Sequence, residues 1–151
     1  MALLVDERGV IVPCPVCGAR NRIPFGHAGK CGKCATLLPP PAEPLEIPSA
    51  AAFDALIRGV SIPVVVDFWA PWCGPCRAVA PEVSRVAQTN AGRWIVAKIN
   101  TEALPDLGST YRVQSIPTMA VFWRGREIGR TTGARPAADI EAFVSQAALG
   151  A

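Results

Sequence analysis

The chain has 151 residues, enough for one ordinary domain with a small appendage. Half of its residues are hydrophobic, which allows a packed core, but no apolar run approaches the length that spans a membrane. The formal charge of +3 lies entirely in residues 1–40, and residues 41–151 are neutral overall. Four metal-bound thiolates in residues 1–40 would remove most of that surplus, so we expect neither nucleic acid nor a membrane as partner.

The first five residues are apolar, but Asp6 and Glu7 follow at once, so this stretch is too short for a signal peptide. We therefore expect a bacterial cytoplasmic protein in a reducing compartment. The first dozen residues show no clear period, apart from a possible brief strand at Ile11 and Val12. In a reducing compartment, three Cys-x-x-Cys pairs indicate metal and redox chemistry rather than a framework of disulfides.

The first two Cys-x-x-Cys pairs are separated by thirteen residues and predict a tetrahedral metal site of four thiolates, which suits zinc. Gly18 and Gly32 would let the backbone curl around the sulfur atoms. Three alternatives stay open: disulfides or free thiols, an iron site of rubredoxin type, and His27 in place of one cysteine. The predicted ligands are Cys14, Cys17, Cys31 and Cys34.

Consecutive prolines in residues 38–42 predict an extended, semi-rigid linker. We place the domain boundary here, which gives an N-terminal metal-binding domain at 1–40 and a second domain at 41–151. The N-terminal domain is too small for a hydrophobic core of its own, so the metal would supply its folding free energy.

The second domain alternates short apolar strands with helical patterns, which predicts an α/β fold. Ser49 is a candidate N-cap for the first helix, and Pro136 opens the last one. The predicted order is βαβαβαββα. Its elements are a strand at 45–47, a helix up to Gly59, a strand at 63–69, a helix at 77–90, a strand at 94–99, a short helix at 104–112, a hairpin of 118–123 with 127–132, and a final helix.

The third pair, Cys73 and Cys76, lies where an apolar strand ends and a helix begins. The free N–H groups and partial positive charge of a helix N-terminus favour thiolate over thiol, so this pair can cycle between dithiol and disulfide. Asp67 interrupts the apolar strand just before it. A carboxyl buried there would have a raised pKa and could carry a proton, although an aspartate at a strand edge or helix N-cap in contact with water is equally compatible.

The sequence Trp-Cys-Gly-Pro-Cys at 72–76, after a strand ending Val-Asp-Phe-Trp-Ala at 66–70, resembles the active site of thioredoxins. Together with the N-terminal cysteine pairs and the Asn-Arg-Ile-Pro at 21–24, it makes the whole chain similar to the zinc-containing bacterial thioredoxins, the thioredoxin 2 type. The resemblance implies a thioredoxin fold, a central mixed sheet flanked by helices, with a small zinc-ribbon-like domain of four cysteine ligands at the N-terminus. It implies one structural zinc ion and no organic cofactor.

The resemblance also implies roles for individual residues. Cys73, the more exposed cysteine, would attack a substrate disulfide, and Cys76 would resolve the mixed disulfide. Asp67 would deprotonate Cys76, and Lys98 would tune Asp67 unless it is simply a solvated lysine. Pro117 would be a cis-proline beside the site, the alternative being an ordinary trans-proline at a strand start. The implied substrate-binding rim consists of Trp72, Gly74, Pro75, Ile116, Gly133 and Ala134.

The implied function is a monomeric protein-disulfide reductase that serves cell redox homeostasis. Electrons would pass from NADPH through a thioredoxin reductase to disulfide-containing client proteins. The Gly-Pro between the cysteines resembles reducing members of the family rather than oxidising ones. The alternative function is a zinc-linked redox sensor or chaperone in which oxidation releases zinc, or, in a milder form, a zinc domain that binds a partner or nucleic acid.

Overall fold

The computed structural model describes residues 3–151, which form eight strands and four helices. In chain order they are β1 (Leu3–Asp6), β2 (Gly9–Pro13), β3 (Arg20–Ile23), β4 (Leu45–Glu46), α1 (Ala50–Gly59), β5 (Val64–Trp69), α2 (Gly74–Thr89), β6 (Ile95–Asn100), α3 (Pro105–Thr110), β7 (Thr118–Trp123), β8 (Arg126–Thr132) and α4 (Ala137–Leu149). From β4 onward the predicted order βαβαβαββα is confirmed. None of the helices in this part of the chain is long and apolar enough to cross a membrane.

The strands form one mixed sheet in the order β3-β2-β1-β4-β6-β5-β7-β8. β4, β6 and β5 run parallel, whereas β7 is antiparallel to β5 and β8 is antiparallel to β7. The hairpin of β7 and β8 therefore extends the parallel part of the sheet beyond β5. This is the mixed sheet that the sequence predicts for residues 41–151.

Helices cover both faces of the central strand β5. Val64, Val66 and Phe68 pack into the cluster that contains the apolar side chains of α1 and α3. Val65 packs on the opposite face, in the cluster formed with α2 and α4. Since alternate residues of a strand point to opposite faces, Asp67 lies on the face of Val65, beneath α2. Because helices cover both faces of the sheet at β5, a side chain at this position has no contact with water.

Local capping explains where the first helix begins. The Ser49 side chain accepts a hydrogen bond from the Ala52 N–H at 3.1 Å, which satisfies one of the free donors of the first turn. Phe53, Leu56 and Ile57 then form one buried face at helical spacing. The hydrogen bond confirms the predicted N-cap.

The N-terminal segment contains more regular structure than the sequence predicts. Instead of one possible brief strand near Ile11 and Val12, both β1 and β2 are present. β1 pairs in parallel with β4, and Val5, Val10 and Val12 are buried in the same cluster as α1. Their burial depends on partners far along the chain, so no local period shows it.

The segment after β3 also packs closely on the rest of the molecule. Gly26, at φ +79°, lies against the carbonyl oxygen of Gly59 at the end of α1, where a side chain on Gly26 would collide with that oxygen. Phe25 and Leu38 pack at the edge of the cluster that contains α1. The division of the chain into two domains after residue 40 stays a prediction. In the structure, strands from both sides of that boundary belong to one sheet.

Candidate active site and metal centre

The redox cysteines lie at the junction of β5 and α2. Cys73 is the N-cap of α2, Cys76 lies in its first turn, and the two residues form a disulfide with their Cα atoms 5.2 Å apart. The Cys76 N–H points at the Cys73 sulfur, with an N···S distance of 3.2 Å. This donor and the helix N-terminus both favour negative charge at the Cys73 position.

Exposure does not distinguish the two cysteines as expected. Cys73 is 4% exposed and Cys76 is 3% exposed, so the expectation of a clearly more exposed Cys73 is wrong for the disulfide form. The adjacent Ala70 and Ile116 pack against both sulfur-bearing residues. What distinguishes Cys73 is its position at the cap, where Cys76 supplies a donor to its sulfur.

Asp67 is fully buried, and both of its carboxylate oxygens have no hydrogen-bond partner in residues 3–151. Desolvation raises the pKa of this carboxyl to about 7, although the positive charge of Lys98 opposes the rise. An aspartate in contact with water at a strand edge or helix cap is therefore ruled out. The carboxyl can gain or lose a proton near neutral pH.

Lys98 lies beside Asp67 on the neighbouring strand, where the two residues are register partners of β6 and β5. Its Nζ lies 4.7 Å from the centroid of the Trp69 ring, a cation–π contact. Glu46 of β4 is the register partner of Lys98 on the other side, and burial raises its pKa. Sequence reasoning missed Glu46, because a two-residue strand gives no register from which to place it next to a lysine far along the chain.

The loop before β7 lies against the redox pair. The Ile116–Pro117 peptide bond is cis, as the resemblance implies. The Ile116 carbonyl oxygen lies 3.9 Å from the Cys73 sulfur, and the Gly133 N–H donates to the Pro117 carbonyl oxygen at 2.9 Å. The loop before β7 therefore contacts both Cys73 and Gly133.

The predicted rim residues lie at the start of α2, in the loop before β7 and in the loop after β8. Trp72 is 67% exposed, an unusual position for a large apolar side chain. Ile116 is half-buried, and the remaining rim positions are exposed: Gly74, Pro75, Gly133 and Ala134. All of these positions are at least partly accessible to solvent, whereas the Cys73–Cys76 disulfide is buried.

The four N-terminal cysteines converge on one point. Their sulfur atoms all lie within 4.8 Å of one another, with 3.5 Å between Cys14 and Cys34 and 3.6 Å between Cys17 and Cys31. A tetrahedral site with zinc–sulfur bonds of about 2.3 Å requires sulfur atoms about 3.8 Å apart. The donor set and its spacing therefore fit a tetrahedral metal ion such as zinc.

The two Cys-x-x-Cys turns have the same backbone design. The Val16 and Lys33 N–H groups each point at the sulfur of the first cysteine of their pair, both at 3.4 Å. The residue after each pair is left-handed, Gly18 at φ +77° and Ala35 at φ +64°. In the second turn this left-handed residue is Ala35, whereas Gly32 lies inside the turn.

His27 is not part of this centre. The candidate ligand group found within residues 3–151 consists of the four cysteines alone. His27 is exposed in the loop between the pairs. Among the alternatives left open by the sequence, the one with histidine as a fourth ligand is therefore wrong.

Comparisons with known proteins agree with this geometry. The Thioredoxin family model matches residues 44–146. Thioredoxin C-3 of Corynebacterium nephridii is 36% identical over 140 residues, covering 91% of this chain and 94% of the relative, so the match includes most of the N-terminal segment. Thioredoxin 1 of a Nostoc species is 49% identical over 86 residues, covering 57% of this chain and 80% of the relative.

Among solved structures, the N21Q mutant thioredoxin of Halobacterium salinarum superposes with a TM-score of 0.66 and 28% identity, covering 71% of this chain and 92% of that one. A chloroplastic thioredoxin z superposes with a TM-score of 0.64 and 34% identity, covering 71% and 96% respectively. With a family model over two thirds of the chain and a Cys73–Cys76 disulfide at the start of α2, the chain belongs to the thioredoxin family and is a protein-disulfide oxidoreductase.

Proposed function

We propose that the protein works as a disulfide reductase and that Cys73 is its nucleophile. The observation that carries this proposal is the placement of Cys73 at the N-cap of α2, with the Cys76 N–H directed at its sulfur. A thiolate held in this way is present at neutral pH and also leaves readily when the mixed disulfide is resolved.

The exchange runs in two balanced steps. The Cys73 thiolate attacks one sulfur of a client disulfide, so a mixed disulfide forms and the other client sulfur leaves as a thiolate. Cys76 then loses its proton and attacks Cys73, which forms the internal disulfide and releases the second client sulfur. Two electrons pass to the client, and the disulfide form of the protein is the form seen in the structure.

We propose that Asp67 accepts the proton of Cys76 in the second step. Asp67 lies beneath α2, and Cys76 belongs to the buried face of that helix with Val79 and Val83. With a pKa of about 7, a substantial fraction of the carboxyl is ionised at neutral pH and can take up a proton. Lys98 sets the balance, because its positive charge favours the ionised carboxylate.

The rim around Cys73 is proposed as the contact surface for clients. Trp72 supplies a large exposed apolar side chain, and the Ile116 carbonyl oxygen lies 3.9 Å from the Cys73 sulfur. Gly133 and Ala134 leave the opposite side of the rim open, and Gly74 and Pro75 form the tip of the redox turn. Such a surface suits extended protein segments that vary in sequence, as expected for a general reductase.

The finer assignments of function belong to the same proposal. The electron donor is a thioredoxin reductase supplied by NADPH, the protein acts as a cytoplasmic monomer, and its role is cell redox homeostasis. The four N-terminal cysteines hold one structural zinc ion, which their sulfur spacing supports. The zinc stabilises residues 14–34 and takes no part in the exchange.

Insulin reduction driven by NADPH and a thioredoxin reductase tests the catalytic assignment. Cys73→Ser is expected to abolish turnover. Cys76→Ser is expected to accumulate a mixed disulfide with the client through Cys73, which Cys73→Ser cannot form. Full turnover by the Cys73→Ser variant, or trapping through Cys76 instead, would refute the roles.

Metal content tests the zinc assignment separately. We expect one zinc per chain in the purified protein, retained when Cys73 is replaced by Ser and lost when Cys14 is replaced by Ser. Iron in place of zinc, or an absence of bound metal with all four thiols free, would overturn it.

One observation favours the alternative of a zinc-linked sensor: Cys17 and Cys34 are exposed, so an oxidant can reach them. The two functions can be separated by oxidising the protein mildly and following two events: the release of zinc and the closure of the Cys73–Cys76 disulfide. Release that precedes closure would favour the sensor, and closure without release would favour the reductase.

A further inference from the structure

Three charged side chains form a row across three neighbouring strands. Glu46 on β4 is the register partner of Lys98 on β6, and Lys98 is the register partner of Asp67 on β5. Register partners in adjacent strands project from the same face of a sheet. Glu46 and Asp67 therefore lie on opposite sides of one lysine, about 10 Å apart at two strand spacings.

Within the described residues, Lys98 forms an ion pair with neither Glu46 nor Asp67. Its Nζ instead lies over the Trp69 ring at 4.7 Å from the centroid. Its charge nevertheless lowers the pKa of both carboxyl groups, while burial raises each of them. Two desolvated acids thus share one cation.

The remaining neighbours of Asp67 carry no charge in the disulfide form. Its register partner on β7 is Met119. The α2 side chains buried over this face include Cys76, Val79 and Val83, and Cys76 is the ionisable one, which does not titrate while it is in the disulfide. On the far side of Glu46, the partner on β1 is Leu4. Lys98 and Glu46 are therefore the charged groups that face Asp67.

We propose that Glu46 is a positioning residue for disulfide exchange: its carboxylate competes with Asp67 for the ammonium group of Lys98 and so keeps Asp67 able to hold a proton at neutral pH. The inference rests on the proposed proton transfer from Cys76 to Asp67. Glu46 itself forms and breaks no bond in the exchange. Its negative charge also acts directly on Asp67, in the direction that raises the pKa of Asp67.

The test is a titration of the Asp67 carboxyl carbon by NMR in the disulfide form of the 151-residue chain, purified with its metal. Glu46→Gln keeps the shape of the side chain and removes its charge. Glu43→Gln makes the same change on an exposed residue before β4 and is the matched control. For a charge about 10 Å away in a partly buried site, Glu46→Gln should lower the midpoint by roughly half to one pH unit. Glu43→Gln should leave it in place.

Insulin reduction supplies a second readout that a purely structural role would not move. Because a lower pKa leaves more of Asp67 ionised in acid, the acidic limb of the rate profile should move to lower pH in the Glu46→Gln variant by the same amount. An unmoved NMR midpoint, an equal shift in the Glu43→Gln control, or an unmoved rate profile would overturn the proposal. Full activity of Asp67→Asn across the pH range would instead refute the proton transfer itself, so the two failures are distinguishable.

Discussion

Replacing Asp67 by Asn should make the stability of the protein less dependent on pH. The native carboxyl has a pKa of about 7, against 3.8 for an unperturbed aspartate. The unfolded chain therefore releases this proton at lower pH than the native protein. Between the two values the native state binds more protons, so stability falls as pH rises and stops falling above pH 7.

The magnitude follows from the difference between the two pKa values. At about 1.4 kcal/mol per unit, the raised pKa of Asp67 destabilises the native state by about 4 kcal/mol at pH 8, where the carboxyl is ionised, and by about 2 kcal/mol at pH 5.5, where it stays protonated. An amide at the same place has no charge to desolvate, but it brings one more unpartnered polar hydrogen than the protonated carboxyl, at a cost of about 1–3 kcal/mol. Asp67→Asn should therefore stabilise the protein by about 1–3 kcal/mol at pH 8, and by about 2 kcal/mol less at pH 5.5.

The assay is denaturant unfolding of the disulfide form, with metal bound, at both pH values. Asp106→Asn, a change on an exposed residue in the first turn of α3, is the matched control and should show no such pH dependence. A free-energy difference between Asp67→Asn and the unchanged protein that is the same at pH 5.5 and pH 8 would refute the reasoning. It would mean that Asp67 is not the desolvated acid that the geometry indicates.

Three further predictions concern other parts of the molecule. Lys98→Met removes the charge that lowers the pKa of Asp67, so the acidic limb of the pH–rate profile of insulin reduction should move to higher pH. An unmoved limb would contradict the effect of Lys98 on Asp67. In the two N-terminal Cys-x-x-Cys turns, Ala35→Gly should stabilise the protein by about 1 kcal/mol and Gly18→Ala should destabilise it by a similar amount, because both positions are left-handed. Unfolding curves shifted the same way in both variants would contradict this. Trp72→Ala should raise the KM for insulin about tenfold, which is typical for the loss of an aromatic side chain that anchors an interface. Because Trp72 is exposed, the free energy of unfolding should stay nearly unchanged. An unchanged KM would exclude Trp72 from client contact.

The sequence by itself determined the class of fold and the chemistry of the site. Apolar runs and helical periods in residues 45–149 predict the observed order of elements, because each element buries a face that its own residues define. The four N-terminal cysteines and the Cys73–Cys76 pair could be found by spacing alone, since a Cys-x-x-Cys turn places two sulfur atoms together through local backbone geometry.

Only the tertiary structure decided which polar residues act together. Asp67 could be recognised from the sequence as an acid in an apolar strand. That its oxygens have no hydrogen-bond partner became clear only from the structure, in which helices cover both faces of β5. Glu46 gave no local pattern, and it joined Lys98 through strand register. Likewise β1 and β2 became strands by pairing with each other, and β1 also pairs with β4. The left-handed position of the second Cys-x-x-Cys turn is taken by Ala35, a residue type that gives no local signal for it. Register and long-range pairing depend on how distant segments pack, and local sequence carries no measure of that packing.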